Sequence, residues 1–135
     1  RPLGETHDLT RMSGFERFVG CNTALQVGLD GTVNIERIGG RLVAGIGGHP
    51  DFCAAAARSV GGLSVIALPS TARGGASTVV PVVERASTAR CDVDVVVTEH
   101  GVADLRGRDE DERGRLMIAI AAPEHRQRLL AAAGG

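Results

Sequence analysis

The sequence contains no Lys, no Trp and no Tyr, and only three Phe. Without Lys, any anion has to be held by Arg, His or backbone amides. So few aromatic rings leave little on which nucleobases could stack, which argues against a single-strand nucleic-acid reader. Charge of one sign is not in excess. Fifteen basic residues, all Arg, face 16 acidic ones, for a formal net charge of -1. Nothing in that balance draws the chain to nucleic acid or to an acidic membrane surface. Cys21, Cys53 and Cys91 are odd in number and far apart, with no CxxC pair. Neither a disulfide framework nor a zinc site is expected, and no metal; a reducing, cytoplasmic setting is. No stretch approaches the ~20 apolar residues of a membrane helix. The opening Arg-Pro-Leu-Gly lacks the pattern of a signal peptide. It also lacks an initiating Met, as a fragment or a processed chain would.

What is present fits one soluble globular domain. The 135 residues are 43% hydrophobic and 23% charged, enough to build a core without staples. Residues 1–18 show no clean period and read as an irregular lead-in to a domain at 19–133. From Asn22 to Glu36 the pattern has period two. Asp30-Gly31 divides it, which predicts a β-hairpin because Gly accepts the positive φ of a primed turn. A second turn is expected at Gly39-Gly40, then a short strand over Arg41–Ile46.

Asp51–Ser59 is Ala-rich and predicts a helix, with Pro50 before it, an acidic residue in its first turn and Gly61-Gly62 after it. Leu63–Leu68 is a continuous apolar run, as a buried parallel strand requires. Strands are also expected at Thr78–Val83, where Pro81 marks an edge or a bend, and at Asp92–Thr98. Helices are expected over Asp109–Ala122 and from Pro123 to about Ala133, with Arg126 and Arg128 exposed. Buried strands mixed with helices give an α/β domain, an open and mostly parallel sheet flanked by helices with a hairpin near its start.

Three segments carry residues suited to chemistry. Gly45-Ile46-Gly47-Gly48-His49-Pro50-Asp51-Phe52 joins a strand to a helix. Its glycines admit close backbone approach, and free amides at a helix start stabilise a phosphate or a thioester oxyanion. It also reads as a tight turn with no ligand; neither a P-loop nor a dinucleotide fingerprint fits it. Val97-Thr98-Glu99-His100-Gly101 delivers Glu99 and His100 to a strand end, where open α/β sheets place ligands. Glu99 suits either a general base or an orienting carboxylate. A solvated strand end, with a weak Asp104–Arg106 surface pair, is the plainer reading. Leu68-Pro69-Ser70-Thr71-Ala72-Arg73-Gly74-Gly75 ends a strand in hydroxyls and an Arg, fit for a phosphate or merely a surface loop. His7 and His125 read as solvated, Cys53 as a small core residue, and Cys21 and Cys91 as possible core residues of the same kind.

These segments, in this order, resemble the C-terminal domain of the acetyl-CoA hydrolase/transferase family. That family includes succinyl-CoA:acetate and 4-hydroxybutyrate CoA-transferases. The resemblance runs over about residues 18–130. It rests on the GxGGxxDF turn at Gly45–Phe52, on Ser64–Arg73 and on Val-Thr-Glu-His-Gly-Val-Ala-Asp-Leu-Arg-Gly at 97–107. It also draws on Asn22–Asn34 and on the tail from Ala119 to Arg126. The resemblance implies transfer of CoA between carboxylic acids, or hydrolysis of acetyl-CoA, through a glutamyl-CoA intermediate. The attacking glutamate would belong to an N-terminal domain outside this sequence.

Carried over by position, the Gly48 amide would form part of an oxyanion hole. Ala44, Gly47, Gly48 and Arg73 would line the site for coenzyme A, which enters as a substrate. Glu99 would assist. Arg73 replaces the usual Lys, His49 stands where Gln or Ser is common, and Gln26 and Gly28 replace acidic residues. Acyl-CoA, a small carboxylate, the N-terminal domain and a second copy of the chain are the implied partners. The alternatives are a non-catalytic module that binds CoA or docks to a partner, and a structural domain with no ligand.

Overall fold

A computed structural model describes residues 2–134, and for Leu3 the backbone only. The centre is a four-stranded sheet in the order β1 (Val19–Asn22), β6 (Leu63–Ala67), β8 (Val95–Thr98) and β9 (Gly101–Asp104). The first three strands run parallel, with Val65 beside both Cys21 and Val95. β9 turns back antiparallel on β8, Val96 opposite Ala103. Ile66, Val96 and Ala103 are fully buried. The apolar runs at 63–67 and 95–98 are therefore explained by their place inside a covered parallel sheet.

Helix α3 (His49–Arg58) connects β1 to β6, and helix α4 (Glu110–Ile120) follows β9. α3 buries Cys53, Ala54, Ala55 and Ala56. Small side chains let it lie close to β1: a Cβ placed on Gly20 would stand 3.0 Å from the Phe52 carbonyl oxygen. α4 opens with a full capping box, in which the Asp109 carboxylate accepts from the Glu112 amide and the Glu112 side chain accepts from the Asp109 amide. It buries Met117, Ile118 and Ile120, and α5 (Pro123–Ala133) adds Leu129.

The expected hairpin is present as β2 (Gln26–Gly28) and β3 (Val33–Asn34), with Val27 opposite Val33. The Asp30 carboxylate accepts from the Thr32 amide at 2.8 Å and from the Thr32 hydroxyl at 2.7 Å, and Gly31 takes φ 92°. The hairpin forms a separate small sheet with β7 (Val79–Val80), parallel to β2. Fully buried Asn34 ends β3. Its amide donates to the Gln26 side chain and to the Arg37 carbonyl, while its carbonyl accepts from the amides of Glu36 and Arg37. The Gly39-Gly40 turn joins β4 (Arg37–Ile38) to β5 (Arg41–Leu42), with φ 57° and 76° at the two glycines.

Several expectations are corrected. The lead-in holds two short helices, α1 (Leu3–Thr6) and α2 (Leu9–Ser13); Asp8 caps the second, and Met12 is buried. The strand expected over 41–46 stops at Leu42, and residues 43–47 run exposed. The strand at 78–83 shrinks to two residues before Pro81, whose missing N–H cannot extend a ladder. Residues 90–92 form a 3₁₀ turn, and Gly101–Asp104 is a strand where only a turn was expected. Arg126 is half-buried, donating through Nε to the Ala121 carbonyl at 2.9 Å.

Candidate functional site

The parallel run of β1, β6 and β8 puts their carboxyl ends on one edge of the sheet. α3 leads into the start of β6, and His49 in its first turn lies 3.1 Å from the carbonyl of Thr23, just past the end of β1, so its N-terminus lies at that same edge. The Gly45–Phe52 turn, the Pro69–Ser77 loop and the Glu99-His100 turn are thus gathered at the place where open α/β sheets bind ligands.

Glu99 and Ser70 lock two of these loops together. The Glu99 carboxylate accepts from the Ser70 amide at 2.8 Å and from the Ser70 hydroxyl at 2.6 Å. Ser70 is almost fully buried, whereas Glu99 reaches solvent. The Ser70 hydroxyl, then Glu99's own amide and the Ser70 amide, hold the carboxyl at about 2. So acidic a group is a poor proton acceptor near neutrality. Of the two roles open to Glu99, the geometry favours the orienting carboxylate. His100 Nε2 lies 3.8 Å from Glu99 Oε1, and its amide donates to Thr98 Oγ1. The Thr98 hydroxyl in turn donates to the Ile120 carbonyl at 2.6 Å, tying the turn to the end of α4.

Beyond Ser70 the loop folds back on itself. Ala72 donates to the Ala76 carbonyl at 2.7 Å, and Gly74 and Gly75 take positive φ. Arg73 stands exposed at the tip. His125, expected to be solvated, is half-buried, and its Nε2 lies 2.8 Å from the Gly75 carbonyl.

The glycine turn is built differently. Gly47 has φ 53°, and Gly48 is the N-cap of α3, with no side chain to satisfy the first amides. Ala44 is exposed, its amide bonded to the Glu36 carbonyl at 3.3 Å. His49 is buried beneath the turn. Nε2 lies 3.1 Å from the Thr23 carbonyl, Nδ1 2.8 Å from the Thr88 hydroxyl and 3.5 Å from Cys53 Sγ. A carbonyl can only accept, so Nε2 carries the proton and Nδ1 accepts from Thr88. Burial lowers the imidazole pKa and keeps it neutral. His49 therefore pins the start of α3 to the segment after β1.

His7, also expected to be solvated, packs onto Gly48. A Cβ built on Gly48 would collide with the His7 ring. The ring meets Phe52 edge-on at 5.2 Å between centroids, and Nδ1 lies 3.5 Å from Asp51 Oδ2. Sequence reasoning placed Ser70 in a candidate loop and His7 in solvent, but missed the contacts of both. His7 sits in a stretch without a period, and Ser70 is 29 residues from the carboxylate it serves.

The remaining candidates are structural. Asp104 and Arg106 form a two-pronged exposed pair at 2.9 and 2.6 Å, as the plainer reading had it. Cys53 is buried as expected, but Cys21 and Cys91 are exposed, correcting their reading as core residues. No group of His, Cys, Asp and Glu suited to a metal exists among the described residues. No described helix is long and apolar enough to cross a membrane.

Residues 1–133 match the family of the acetyl-CoA hydrolase/transferase C-terminal domain. The chain belongs to that family. It is similar to the 4-hydroxybutyrate coenzyme A transferase of Clostridium kluyveri, 41% identical over 119 residues. That match takes in 85% of this chain and 28% of the relative. It is 33% identical over 113 residues to an acetyl-CoA hydrolase of Kluyveromyces lactis, covering 83% of this chain and 22% of that one. Among solved structures, RipA from Yersinia pestis superposes with a TM-score of 0.91 at 35% identity, over 99% of this chain and 31% of RipA. A 4-hydroxybutyrate CoA-transferase from Porphyromonas gingivalis gives 0.81 at 35%, over 97% of this chain and 30% of the other. The chain thus spans under a third of the length of these relatives.

Proposed function

We propose that this domain supplies one wall of the active site of an enzyme that moves CoA between carboxylic acids or hydrolyses acyl-CoA. Its attacking glutamate would lie on a segment outside residues 1–135. The observation that carries the reading is the gathering of the three loops at one sheet edge in a domain of this family. There the Gly48 amide, at the start of α3, would receive the thioester oxyanion. The backbone from Ala44 to Gly48 and the Arg73 guanidinium would hold coenzyme A, the Arg by pairing with phosphate. Glu99 would act indirectly. Through Ser70 it fixes the loop that presents Arg73, so it is a positioning residue. A cytoplasmic setting and assembly of two or more copies complete the reading.

The test uses the full-length protein that carries this domain, supplied with acetyl-CoA and a second carboxylate. CoA exchange or thioester hydrolysis is expected. Borohydride trapping followed by mass spectrometry is expected to mark a glutamate outside this chain. CoA binding with neither activity would favour a non-catalytic CoA module, and no CoA binding at all would leave only a structural domain.

A further inference from the structure

The loop that presents Arg73 has no packing at its tip. Residues 72–76 are exposed, and a Cβ on Gly74 or Gly75 would meet nothing within 4 Å. Both glycines take positive φ, 91° and 82°. Inside the loop the Ala72 amide donates to the Ala76 carbonyl, and the Gly75 amide to the Ala72 carbonyl. Among the described residues, one side chain from outside bonds the tip. It is His125, whose Nε2 lies 2.8 Å from the Gly75 carbonyl. A carbonyl can only accept, so Nε2 carries the proton and donates.

His125 is itself anchored. It stands in the first turn of α5, where its amide donates to the Ala122 carbonyl at 2.9 Å. The corner between α4 and α5 is buried at Ala121 and Ala122 and is tied down twice. The Thr98 hydroxyl donates to the Ile120 carbonyl at 2.6 Å, and Arg126 Nε donates to the Ala121 carbonyl at 2.9 Å. Two neighbouring residues at the end of β8 thus serve one loop. Glu99 holds its base through Ser70, and Thr98 holds the corner from which His125 reaches its tip.

We propose that His125 is a positioning residue that fixes the tip of this loop, so that the Arg73 guanidinium meets the phosphates of CoA in one place. The proposal rests on the CoA reading above and deepens it, since it names what orders the phosphate-binding loop before substrate arrives. A glycine turn without this bond has many backbone states open to it, and binding would have to freeze them. A bond already made removes part of that ordering cost, so it acts on affinity. It lies on the Arg73 loop and not on the Gly48 turn, so its effect falls on KM more than on kcat. The effect also needs phosphate on the substrate, because Arg73 acts by pairing with it.

The experiment uses the full-length protein with its His125→Phe, His125→Gln and Arg73→Ala variants and the double variant His125→Phe/Arg73→Ala. KM and kcat for CoA transfer to a carboxylate are measured with acetyl-CoA and with acetyl-pantetheine, which has the thioester but no phosphate. His125→Phe keeps a ring and removes the donor. It is expected to raise KM for acetyl-CoA about threefold to tenfold, the effect of one hydrogen bond, with a smaller change in kcat. The rise is expected to be smaller for acetyl-pantetheine, and smaller again for acetyl-CoA once Arg73 is Ala. Gln offers an amide donor near the position of Nε2 and is expected to recover most of the loss, which a merely structural role would not predict. If circular dichroism shows His125→Phe unfolded, His125→Ala takes its place with the same expectations. An unchanged KM, an equal loss on both substrates, or full additivity with Arg73→Ala overturns the proposal and leaves the CoA reading standing. An Arg73→Ala variant with the parental KM for acetyl-CoA removes the role of Arg73 and this inference with it.

Discussion

Glu99 shows how a residue's chemistry is set by a partner far away in sequence. Its motif marks it as functional, but only the fold reveals that Ser70 donates to it twice. Its carboxyl is moved from the usual 4.5 down to about 2. The sign follows directly. A folded-state pKa below the unfolded one adds stability that is fully present above about 4.5 and is lost as pH falls through 2. Glu99→Gln is therefore expected to lessen the fall in Tm between pH 4.5 and 2, measured by thermal scans. An unchanged acid limb would show that the Ser70 contacts do not persist in solution. Asp104, held near 2 by Arg106, contributes to the same window, so Asp104→Asn is the matching control. The cysteines give a second check. Burial pushes the Cys53 thiol up and hides it, while Cys21 and Cys91 are exposed. Iodoacetamide on the native domain is expected to alkylate Cys21 and Cys91 and to reach Cys53 only in denaturant. Early labelling of Cys53 would mean that α3 opens readily from the sheet.

The elements that could be read from the sequence are those whose pattern has a local cause. β6 and β8 are mostly apolar because other layers cover them, and α4 announces itself through Asp109 and Glu112. β9 was hidden because it is an edge strand that opens on Gly101 at φ 147° and exposes Val102, so only Ala103 and Asp104 hint at alternation. Val43, Ala44 and Ile46 are apolar, but beyond the bonds of the Val43 and Ala44 amides to the Glu36 carbonyl this segment extends no strand, which hydropathy alone does not reveal. α1 and α2 are too short to show a helical period, and α2 gains its place by burying Met12. The sharpest element-level test is the contact of β1 with α3. A Cβ on Gly20 would stand 3.0 Å from the Phe52 carbonyl oxygen and 3.2 Å from the Ala56 Cβ. Neither is the loose end of a flexible chain, so Gly20→Ala has to shift α3 slightly away from β1, at a cost of about 1–3 kcal/mol. Denaturant unfolding measures that cost. A midpoint equal to the parent's would show that the crossover is slack.

At the scale of the whole molecule, the candidate loops and a large groove lie apart. A groove of about 810 Å³ opens between the β2–β3 hairpin, the segment after β7 and the helices α4 and α5. Leu29, Val82, Ile118 and Leu130 give it apolar walls, and it includes none of Gly48, Arg73 or Glu99. The edge that carries those three residues is open, with Ala44, Gly47, Arg73 and Glu99 all exposed. A thioester bound there would touch protein on one side and water on the other. Catalysis by positioned dipoles needs reactants held in one geometry and bulk water excluded, and an open edge supplies neither. The chain also spans only 22–31% of the relatives described above, so more than two thirds of each has no counterpart in residues 1–135. Residues 1–135 produced alone are thus expected to bind CoA weakly and to show no turnover of acetyl-CoA. Calorimetry and a thiol-release assay decide it. Exposed Leu42, Val43 and Ile46 beside the glycine turn are expected to make the isolated domain self-associate, visible as a concentration-dependent sedimentation coefficient. Turnover by the isolated domain would mean that the open edge is a complete site that needs no second wall.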